Sequence, residues 1–457
     1  MTRLVAVSNR VNLDAPVERT AGGLAVALGD TLAANNGLWF GWSGEVKDGA
    51  GPPARVREQR GITYAVIDLK PADYQNYYSG FSNNVLWPLL HFRLGLIEFE
   101  RAEFEGYVRV NRLFAESLLP LLRPDDAIWV HDYHLIPLGA ELRRLGFRGR
   151  IGFFLHTPLP PPAVLKALPV HRALFEAFGA YDLVGFQTAE GVTAFCDYMR
   201  ASAGAEIGTD GEISVLGRRL RVGSFPVGID AKGFAETARK AVQSAQTRRL
   251  RESLVGRRLI IGADRLDYSK GLSLRFKAFH HLLVNHKSWR QRVTYLQIAA
   301  PSRIDVAQYR EIRRELELQA GRMNGRFAEF DWVPLRYLNK SYSRGTLAGF
   351  FRASHVGFVT PLRDGMNLVA KEYVTAQNPE DPGVLVVSAF AGAADQLGGG
   401  ALVVNPFDVE GVAEALDQGL TMPFEERRER WHAMMRDIVE RDVTWWSRTF
   451  VEALTKT

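Results

Sequence analysis

The run SHVGFVTPLRDGMNLVAKEYV, from Ser354 to Val374, joins a short apolar segment to a glycine turn and then to a helical pattern. Its apolar, β-prone start, Ser354 to Thr360, predicts a strand, and Leu368 is the expected start of a helix. The turn from Asp364 to Asn367 would then emerge at the carboxyl end of a strand, which is where open α/β sheets bind their ligands. The run therefore predicts a doubly wound α/β sheet with a ligand site at this turn.

Two carboxylates of this run, Asp364 and Glu372, suit a sugar nucleotide. The free N–H groups at a helix start favour anionic or hydroxyl-rich ligands, and Glu372, one turn in, is long enough to accept hydrogen bonds from a ribose diol. Asp364 would face the sugar. In the alternative interpretation, Asp364 or Asn367 only caps the helix and Glu372 lies on a solvated face. The run alone leaves both interpretations open.

The composition is that of a large globular protein that acts on small molecules. A chain of 457 residues predicts two large domains or one very large one, and 46% hydrophobic with 24% charged residues excludes a disordered or fibrous protein. The net charge of +6 comes without a long basic run with interleaved aromatics, so we expect no nucleic-acid partner. The densest basic cluster comprises Arg248, Arg249, Arg251, Arg257 and Arg258. This cluster predicts a linker helix with a solvated face. Anionic small substrates explain the charge as well.

The cysteine count and the apolar runs indicate the compartment. Cys196 is the single cysteine, which excludes an intramolecular disulfide framework and fits a reducing cytoplasm. The apolar run in MTRLVAVSNR is too short for a signal peptide, and no stretch of about twenty apolar residues occurs. We therefore expect a cytoplasmic protein without a membrane partner.

Short apolar runs alternate with amphipathic stretches, and the pattern restarts in the middle of the chain. The predicted strands are LVAV, AIWV, IGFFL and LVGF in the first half, and LIIGA, VTYLQIA, VGFVT, VLVVS and ALVVN in the second. This alternation is typical of βαβ units, so we expect two Rossmann-like halves. In FPVGID, Pro226 and Gly228 break the last strand of the first half, which puts the boundary near residue 232. We expect domains 1–232 and 233–440, with 441–457 packing back on the first because Trp445 and Trp446 make this segment apolar.

Residues capable of binding or catalysis follow several of these strands. They are Ser8, Asn9 and Arg10 with the later pair Gly22 and Gly23, then His131, Asp132, His134 and His156, and in the second half Arg265, Lys270 and Arg303. A glycine pair lets the backbone approach a phosphate closely, and two cations on one loop suit a diphosphate. The histidine spacings match no metal-ligand set, so we expect no metal.

Ten motifs in register resemble the trehalose-6-phosphate synthases, glycosyltransferase family 20, over nearly the whole chain. They are SNR with AGG, LWFGWSG, NVLWP, WVHDYHL, GFFLHTP, GFQT, PVGID, DRLDYSKG, PSR, and TPLRDGMNLVAKEYV with FAGAA. The resemblance implies the two-domain GT-B fold with a catalytic cleft between the halves. It also implies retaining transfer of glucose from a nucleoside-diphosphate glucose, usually UDP-glucose, to glucose 6-phosphate. The product would be trehalose 6-phosphate, and the nucleotide sugar would be a substrate, with no cofactor.

The same resemblance assigns roles residue by residue. It sets the acceptor against Arg10, Tyr78, Trp87, Asp132 and Arg303. It sets the donor against Gly22, Gly23, His156, Arg265, Lys270, Asp364, Gly365, Met366, Asn367, Leu368, Val369 and Glu372. Asp132, His156, Arg265, Lys270 and Asp364 form the catalytic set. Arg265 and Lys270 would stabilise the leaving diphosphate, which makes a divalent metal unnecessary.

The resemblance also favours front-side attack, in which the acceptor hydroxyl gives its proton to the departing phosphate. Asp132 as a general base is the alternative. The chain departs from the commoner pattern at Leu159, Pro161, Ala163 and Gln396. Other functions stay open, namely a glucosylglycerol-phosphate synthase, a pseudo-glycosyltransferase or a catalytically silent regulator. We further expect a homo-oligomer, a dimer or a tetramer.

Overall fold

The chain forms two compact units. The computed structural model describes residues 2–11, 28–29, 31–33, 36–208, 211–303 and 307–456. Unit 1 comprises Met1–Val227 with Thr444–Thr457, and unit 2 comprises Gly228–Val443. The predicted glycine turn at Gly22 and Gly23 lies outside the described residues.

Unit 1 contains a ten-stranded sheet in the order β3-β4-β2-β1-β5-β6-β7-β10-β9-β8. Its strands are β1 (Leu4–Arg10), β2 (Leu38–Val46), β3 (Arg55–Gln59), β4 (Ile62–Leu69), β5 (Ala127–His131), β6 (Arg150–Phe154), β7 (Leu183–Phe186), β8 (Glu206–Ile207), β9 (Glu212–Val215) and β10 (Arg218–Ser224). The central strands pair in parallel, whereas β3 and the β8–β9–β10 end pair antiparallel. Strand β5 is buried at every position, as expected for a parallel strand covered on both faces.

Helices surround this sheet. The α-helices are α1 (Pro71–Asp73), α2 (Trp87–Leu90), α3 (Arg101–Leu118), α4 (Leu138–Arg144), α5 (Pro162–Leu165), α6 (His171–Phe175) and α7 (Ala189–Ala203). A π-helix, Tyr74–Leu86, joins α1 to α2. Helix α7 contains Cys196, the single cysteine. Helices with π geometry are rare and occur frequently at functional sites.

Unit 2 contains a six-stranded, all-parallel sheet in the order β13-β12-β11-β14-β15-β16. Its strands are β11 (Arg258–Arg265), β12 (Val293–Ala300), β13 (Leu335–Leu338), β14 (Val356–Val359), β15 (Val384–Ser388) and β16 (Leu402–Val404). Renumbered within the unit, this is the order 3-2-1-4-5-6 of a dinucleotide-binding fold. The prediction of a doubly wound α/β protein is confirmed.

The helices of unit 2 enclose an apolar core that includes Phe276, Phe279 and Tyr295. They are α8 (Ala231–Ala241), α9 (Ala245–Leu254), α10 (Leu272–Asn285), α11 (Ala307–Phe327), α12 (Arg344–Arg352), α13 (Leu368–Ala376), α14 (Ala393–Leu397), α15 (Val409–Thr421) and α16 (Phe424–Glu440). Helix α13 begins at Leu368, as predicted. Among the described residues, no helix is both long and apolar enough to cross a membrane.

A final helix, α17 (Val443–Thr455), lies in unit 1 from its second residue onward. Trp446, Phe450 and Leu454 are completely buried. The ring of Phe450 stacks on Trp129 of β5 with the centroids 4.4 Å apart. Burying such large side chains contributes roughly 1.5–3 kcal/mol each, so this segment forms part of the unit 1 core.

The FPVGID segment lies just after the last strand of unit 1, which Pro226 and Gly228 were expected to break. The last strand of unit 1 is β10, which ends at Ser224, and residues 225–230 form no strand. Pro226 has no N–H to donate to a sheet, so the strand ends before it.

Candidate functional site

The switch point of unit 2 brings together the loop after β11 and the turn after β14. Strands β11 and β14 are neighbours, and the chain continues from them toward opposite edges of the sheet. Lys270 Nζ lies 2.5 Å from Asp364 Oδ2, and the two side chains are 11% and 16% exposed. A predicted diphosphate-binding cation and a predicted sugar-binding carboxylate therefore form one ion pair at the edge where such sheets bind ligands.

Asn367 has two roles at this turn. It is the N-cap of α13, with φ of 75° in the left-handed region, and its side-chain oxygen accepts a hydrogen bond from Ala370 N at 3.4 Å. Its amide nitrogen donates to Asp364 Oδ2 at 3.1 Å. The capping interpretation is thus right for Asn367, and the same side chain also orients Asp364.

The rest of the turn is fixed by the segment that follows β15. Asp364 N donates to Phe390 O at 3.0 Å, and Ala393 N donates to Met366 O at 2.8 Å. These bonds join the predicted run Gly365–Val369 to the FAGAA motif. Close by in sequence, both amide atoms of buried Gln396 lack a hydrogen-bond partner among the described residues. A buried amide without partners is unusual, so the departure from glutamate at Gln396 leaves unused hydrogen-bonding capacity.

Glu372 is mostly buried. It therefore does not lie on a solvated face, as the alternative interpretation had it. Its side chain is 18% exposed and its Oε1 lies 3.7 Å from Arg344 Nε. Burial raises the pKa of Glu372 to about 7, and the Arg344 guanidinium opposes the rise. A carboxyl group with a pKa near neutrality, on the helix that follows a predicted ligand-binding turn, is a candidate for function.

A buried guanidinium, which the sequence reasoning missed, holds the Lys270 loop. Arg275 on α10 is 1% exposed and donates to Asp264 Oδ2 at 2.5 Å, Thr360 Oγ1 at 3.1 Å and Lys270 O at 3.1 Å. It thereby ties the ends of β11 and β14 together. Gly271 (φ +69°) completes the arrangement, because a Cβ at this position would lie 2.6 Å from Thr360 O.

Arg303, at the end of β12, is joined to the same loop. Its Nη1 donates to Asp267 Oδ2 at 2.9 Å and to the Tyr309 hydroxyl at 2.6 Å. Asp267 is completely buried and also accepts a hydrogen bond from the Tyr309 hydroxyl. Arg303 has a positive φ of 45°. The structure thus places Arg303 in unit 2, next to the loop that carries Lys270, while Arg265 lies exposed at the end of β11.

Unit 1 has an equivalent switch point at β1 and β5. Strand β1 lies between β2 and β5, Arg10 is the last residue of β1, and Asp132 directly follows β5. Asp132 has φ 74° and ψ 165°, a region that is nearly restricted to glycine. Asp132 N donates to Phe154 O at 2.8 Å, and Asp132 Oδ1 accepts from His156 N at 3.3 Å. Backbone strain of this kind costs roughly 1–3 kcal/mol and is typical of functional sites.

His131, which is buried, and His156, which is partly buried, form an imidazole pair. His131 Nδ1 lies 3.2 Å from His156 Nε2, and His131 Nε2 has no hydrogen-bond partner among the described residues. Burial lowers the pKa of His156 to about 3, and burial together with His156 lowers the pKa of His131. Both rings are therefore neutral at pH 7, so one donates and the other accepts.

An aromatic group connects Arg10 with Tyr78. The Arg10 guanidinium carbon lies 5.7 Å from the ring centroid of Trp42, and the Tyr78 ring lies 5.6 Å from the same ring. Tyr78 lies on the π-helix and also stacks with His134 at 6.0 Å. Sequence reasoning missed Trp42, although the LWFGWSG motif contains it. Trp87, the other aromatic residue that the resemblance sets against the acceptor, is only 5% exposed.

The other positions that depart from the commoner family pattern lie in helix α5, which contains Ala163, or just before it. Leu159 is 4% exposed, and Pro161 is the residue immediately before helix α5. In the part of the chain that the structure describes, no group of three or more His, Cys, Asp or Glu residues is arranged to bind a metal.

Two Rossmann-like units with charged side chains at both switch points define a glycosyltransferase of the two-domain GT-B class. The model of glycosyltransferase family 20 matches residues 3–456, and the chain belongs to this family. It is a hexosyltransferase that resembles the trehalose-6-phosphate synthases, as the motifs predicted.

Individual relatives agree with this assignment. The trehalose-6-phosphate synthase of Sinorhizobium fredii is 51% identical over 458 residues, which cover 100% of this chain and 98% of the relative. A UDP-forming α,α-trehalose-phosphate synthase from Burkholderia xenovorans, solved with glucose-6-phosphate, is 50% identical with a TM-score of 0.95, covering 99% of this chain and 100% of that one. The E. coli protein bound with UDP-2-fluoro glucose is 45% identical with a TM-score of 0.95, covering 100% and 99%.

Proposed function

We propose that this enzyme transfers glucose from UDP-glucose to glucose 6-phosphate and so makes α,α-trehalose 6-phosphate. The observation that carries the proposal is the Lys270–Asp364 pair at the switch point of unit 2. It combines a cation for a diphosphate with a carboxylate for a sugar at the usual ligand-binding edge. The ligands of the B. xenovorans and E. coli relatives, glucose-6-phosphate and UDP-2-fluoro glucose, support both substrates.

The donor residues divide by chemistry. Arg265 and Lys270 bind the diphosphate, together with Gly22 and Gly23, which lie outside the described residues. Asp364 through Asn367 and His156 bind the glucose, and Glu372 accepts from the ribose hydroxyls. Leu368 and Val369 also contact the donor. The burial of Glu372 supports this last role, because a desolvated carboxylate gains more from ligand hydroxyls than a hydrated one does.

The acceptor is bound by its phosphate and its hydroxyls. Arg10, Tyr78, Trp87 and Arg303 bind the phosphate, and Asp132 binds acceptor hydroxyls. A phosphomonoester carries about two negative charges near neutral pH, and charge-assisted hydrogen bonds contribute roughly 1.5–3 kcal/mol each. An unphosphorylated sugar would offer no anion to Arg10 and Arg303, although Arg303 would keep its ion pair with Asp267. We assign acceptor binding mainly to residues 1–232 and donor binding mainly to residues 233–440.

The reaction proceeds with retention by front-side attack. The bond from the anomeric carbon of the donor glucose to the diphosphate oxygen breaks, and a bond to the anomeric hydroxyl oxygen of glucose 6-phosphate forms on the same face. The hydroxyl proton passes to the departing diphosphate, so no protein base is required. Arg265 and Lys270 stabilise the charge that grows on the leaving group, which makes turnover independent of a divalent metal. In the alternative route, Asp132 accepts the proton.

A product assay tests this function. The protein is incubated with UDP-, ADP- and GDP-glucose and with glucose 6-phosphate or glycerol 3-phosphate, with and without EDTA, and products are identified by mass and anomeric coupling. We expect an α,α-linked disaccharide phosphate from UDP-glucose and glucose 6-phosphate that forms equally well in EDTA. A product from glycerol 3-phosphate alone would instead indicate a glucosylglycerol-phosphate synthase. No product from any pair would favour a pseudo-glycosyltransferase with other substrates or a silent regulator.

We also propose a cytoplasmic location and a homo-oligomer, a dimer or a tetramer. The single cysteine and the absence of a long apolar run in the sequence support the location. Light scattering on a size-exclusion column measures the mass, and a monomer of 51.1 kDa would contradict the oligomer.

A further inference from the structure

A large basic cavity lies in unit 2 at the sheet edge opposite the transfer residues. Its volume is about 1020 Å³. The residues that precede β11, β14 and β15, namely Arg257, His355 and Gly383, line it, whereas Lys270 and Asp364 follow the carboxyl ends of the strands. Because β11 has eight residues, the two places are separated by roughly 20–25 Å along the sheet. We call this space the arginine cavity.

The arginine cavity contains more positive than negative charge. Six cationic side chains line it, and these are Arg239, Lys240, Arg251, Arg257, Arg352 and Arg427. Three carboxylates pair with them: Glu236 with both Arg239 (2.8 Å) and Lys240 (3.3 Å), Asp331 with Arg257 (2.6 Å), and Asp381 with Arg427 (2.7 Å). Among the described residues, no carboxylate lies within ion-pair distance of Arg251 or Arg352. An excess of about three positive charges therefore faces one concave space.

Of these cations, only Arg352 caps the carboxyl end of helix α13, so helix capping explains only part of the positive charge. Arg352 donates to Ala376 O at 3.0 Å and Gln377 O at 2.8 Å, at the carboxyl end of α13, where a cation is favourable. Burial lowers the pKa of Arg352, and the nearby Arg239 guanidinium lowers it further. The Arg239 guanidinium, although paired with Glu236, thus still repels that of Arg352, which donates to backbone carbonyls and to the Asn378 side chain. An anion in the cavity would remove this repulsion.

We propose that the arginine cavity is a second ligand site, which binds a small molecule carrying a phosphate or diphosphate group. Guanidinium groups offer paired N–H donors that match phosphate oxygens, and Arg251 makes no side-chain hydrogen bond among the described residues. Arg239 already donates to Glu236, and Arg352 donates to the carboxyl end of α13, so these two contribute mainly positive charge. Val242, Leu254 and Ala353 add apolar wall, as in most small-molecule pockets. The volume suits a ligand of nucleotide size. The densest basic cluster of the sequence, which the transfer reaction does not use, supplies Arg251 and Arg257.

This proposal does not depend on the substrates proposed above, so its test needs no turnover. Pyrophosphate binding is measured by isothermal titration calorimetry at fixed ionic strength. The cavity variant is the double substitution Arg239→Gln with Arg251→Gln. Arg249→Gln is the matched control, because Arg249 is exposed on the same helix as Arg251 and does not line the cavity. Lys270→Ala separates the cavity from the transfer site.

Because Lys270 is also proposed to bind a diphosphate, the cavity substitutions are compared in the Lys270→Ala background, where we expect them to weaken pyrophosphate binding at least tenfold. Arg249→Gln and Lys270→Ala should retain a site within about twofold of its original affinity. Undiminished binding by the cavity variant overturns the proposal. An equal loss in Arg249→Gln also overturns it, because diffuse surface charge would then explain binding. A complete loss in Lys270→Ala overturns it too, by placing the ligand at the transfer site. Circular dichroism confirms that each variant is folded.

Discussion

Lys270 and Asp364 are 94 residues apart in the chain, yet Lys270 Nζ and Asp364 Oδ2 are 2.5 Å apart. The contact exists because β11 and β14 are neighbours at the switch point of unit 2, so the segments after them meet. Arg275 and Asn367 fix the two segments independently. The pair is therefore set in place by the fold before any ligand binds, as electrostatic catalysis requires.

Removing the cation of this pair should slow the reaction. We expect Lys270→Ala to lower kcat about 10²–10³-fold, because a preorganised charge that stabilises the leaving group is lost. Lys277→Ala is the control, since Lys277 is exposed on the following helix, α10. Steady-state kinetics with both substrates varied provide the measurement. A change confined to KM would show that Lys270 binds the ground state and the transition state equally.

Arg303 should act on the acceptor. We expect Arg303→Lys to raise the KM for glucose 6-phosphate about 10- to 100-fold, because a lysine keeps the charge beside Asp267 but loses the paired N–H donors. Tyr309→Phe is the control, since it removes a hydroxyl from the same Asp267 without removing a cation. The KM for the donor should stay within about threefold. Equal losses for both substrates would refute the acceptor assignment.

The pKa of Glu372, about 7, predicts a pH effect on donor binding. A ribose diol needs a carboxylate as acceptor, so the donor should bind more weakly as the pH falls from 8 to 6. Glu372→Gln should weaken binding at pH 8 and flatten this profile. Titration of UDP between pH 6 and 8 provides the measurement. A profile that stays steep in Glu372→Gln would assign the titration to another group.

The same pKa predicts a stability gain in Glu372→Gln. Between about pH 4.5 and 7, Glu372 keeps its proton in the folded protein but has lost it in the unfolded chain. The contribution of Glu372 to stability is therefore greatest below pH 4.5 and is lost as the pH rises through 7. At pH 8 the buried charge costs about 3 kcal/mol at most. We therefore expect Glu372→Gln to raise the Tm at pH 8 and to change it little at pH 4.5.

His131 should set the tautomer of His156. If His131 Nε2 carried the proton, a buried donor would lack a partner, so the proton belongs on Nδ1 and is donated to His156 Nε2. His156 then carries its own proton on Nδ1. We expect His131→Asn, which keeps a donor near this position, to retain kcat within about tenfold, and His131→Leu to lose more. The ¹⁵N shifts of His156 report its tautomer, and an Nε2–H form in the unaltered protein would contradict the assignment.

Arg275 should be needed for stability as well as for the geometry of the Lys270 loop. Arg275→Met leaves the Asp264 carboxylate buried without its cation, since the Asp264 side chain is only 2% exposed. We expect a loss of about 3–5 kcal/mol in the unfolding free energy, measured in urea. Adding Asp264→Leu should restore part of the stability but not kcat. Restoration of both would show that Arg275 does not position the loop.

The turn at Asp364 could be predicted from local sequence patterns, whereas contacts between residues far apart in the chain could not. The apolar run before it, the glycine and the helical spacing after it are consecutive, so the strand and the start of α13 could be inferred correctly. The burial of Glu372 depends on surrounding structure that includes Arg344 of another helix, so the solvated alternative could not be excluded from the run itself. The same holds for Asp267, whose partners, Arg303 and Tyr309, follow a different strand.

Strands at the antiparallel end of the unit 1 sheet were also missed. Strand β10 reads RRLRVGS, in which exposed and buried residues are mixed, because the antiparallel end of a sheet does not need to be covered on both faces. Strand β2 has glycines within an aromatic run, and Gly41 and Gly44 weaken the strand signal. Strands β1, β5, β6 and β7 were found because each contains a uniformly apolar, buried run.

The packing of α17 on unit 1 has a consequence for synthesis. Trp446 and Phe450 contact Trp129 and Phe154 inside unit 1, but a ribosome makes them only after the roughly 220 residues of unit 2. At roughly 5–20 residues per second, this takes on the order of 10–40 s. During that interval the nascent unit 1 exposes the apolar groove that α17 later fills. The unit that leaves the ribosome first is therefore the last to complete its core, and until then it is a natural client for chaperones.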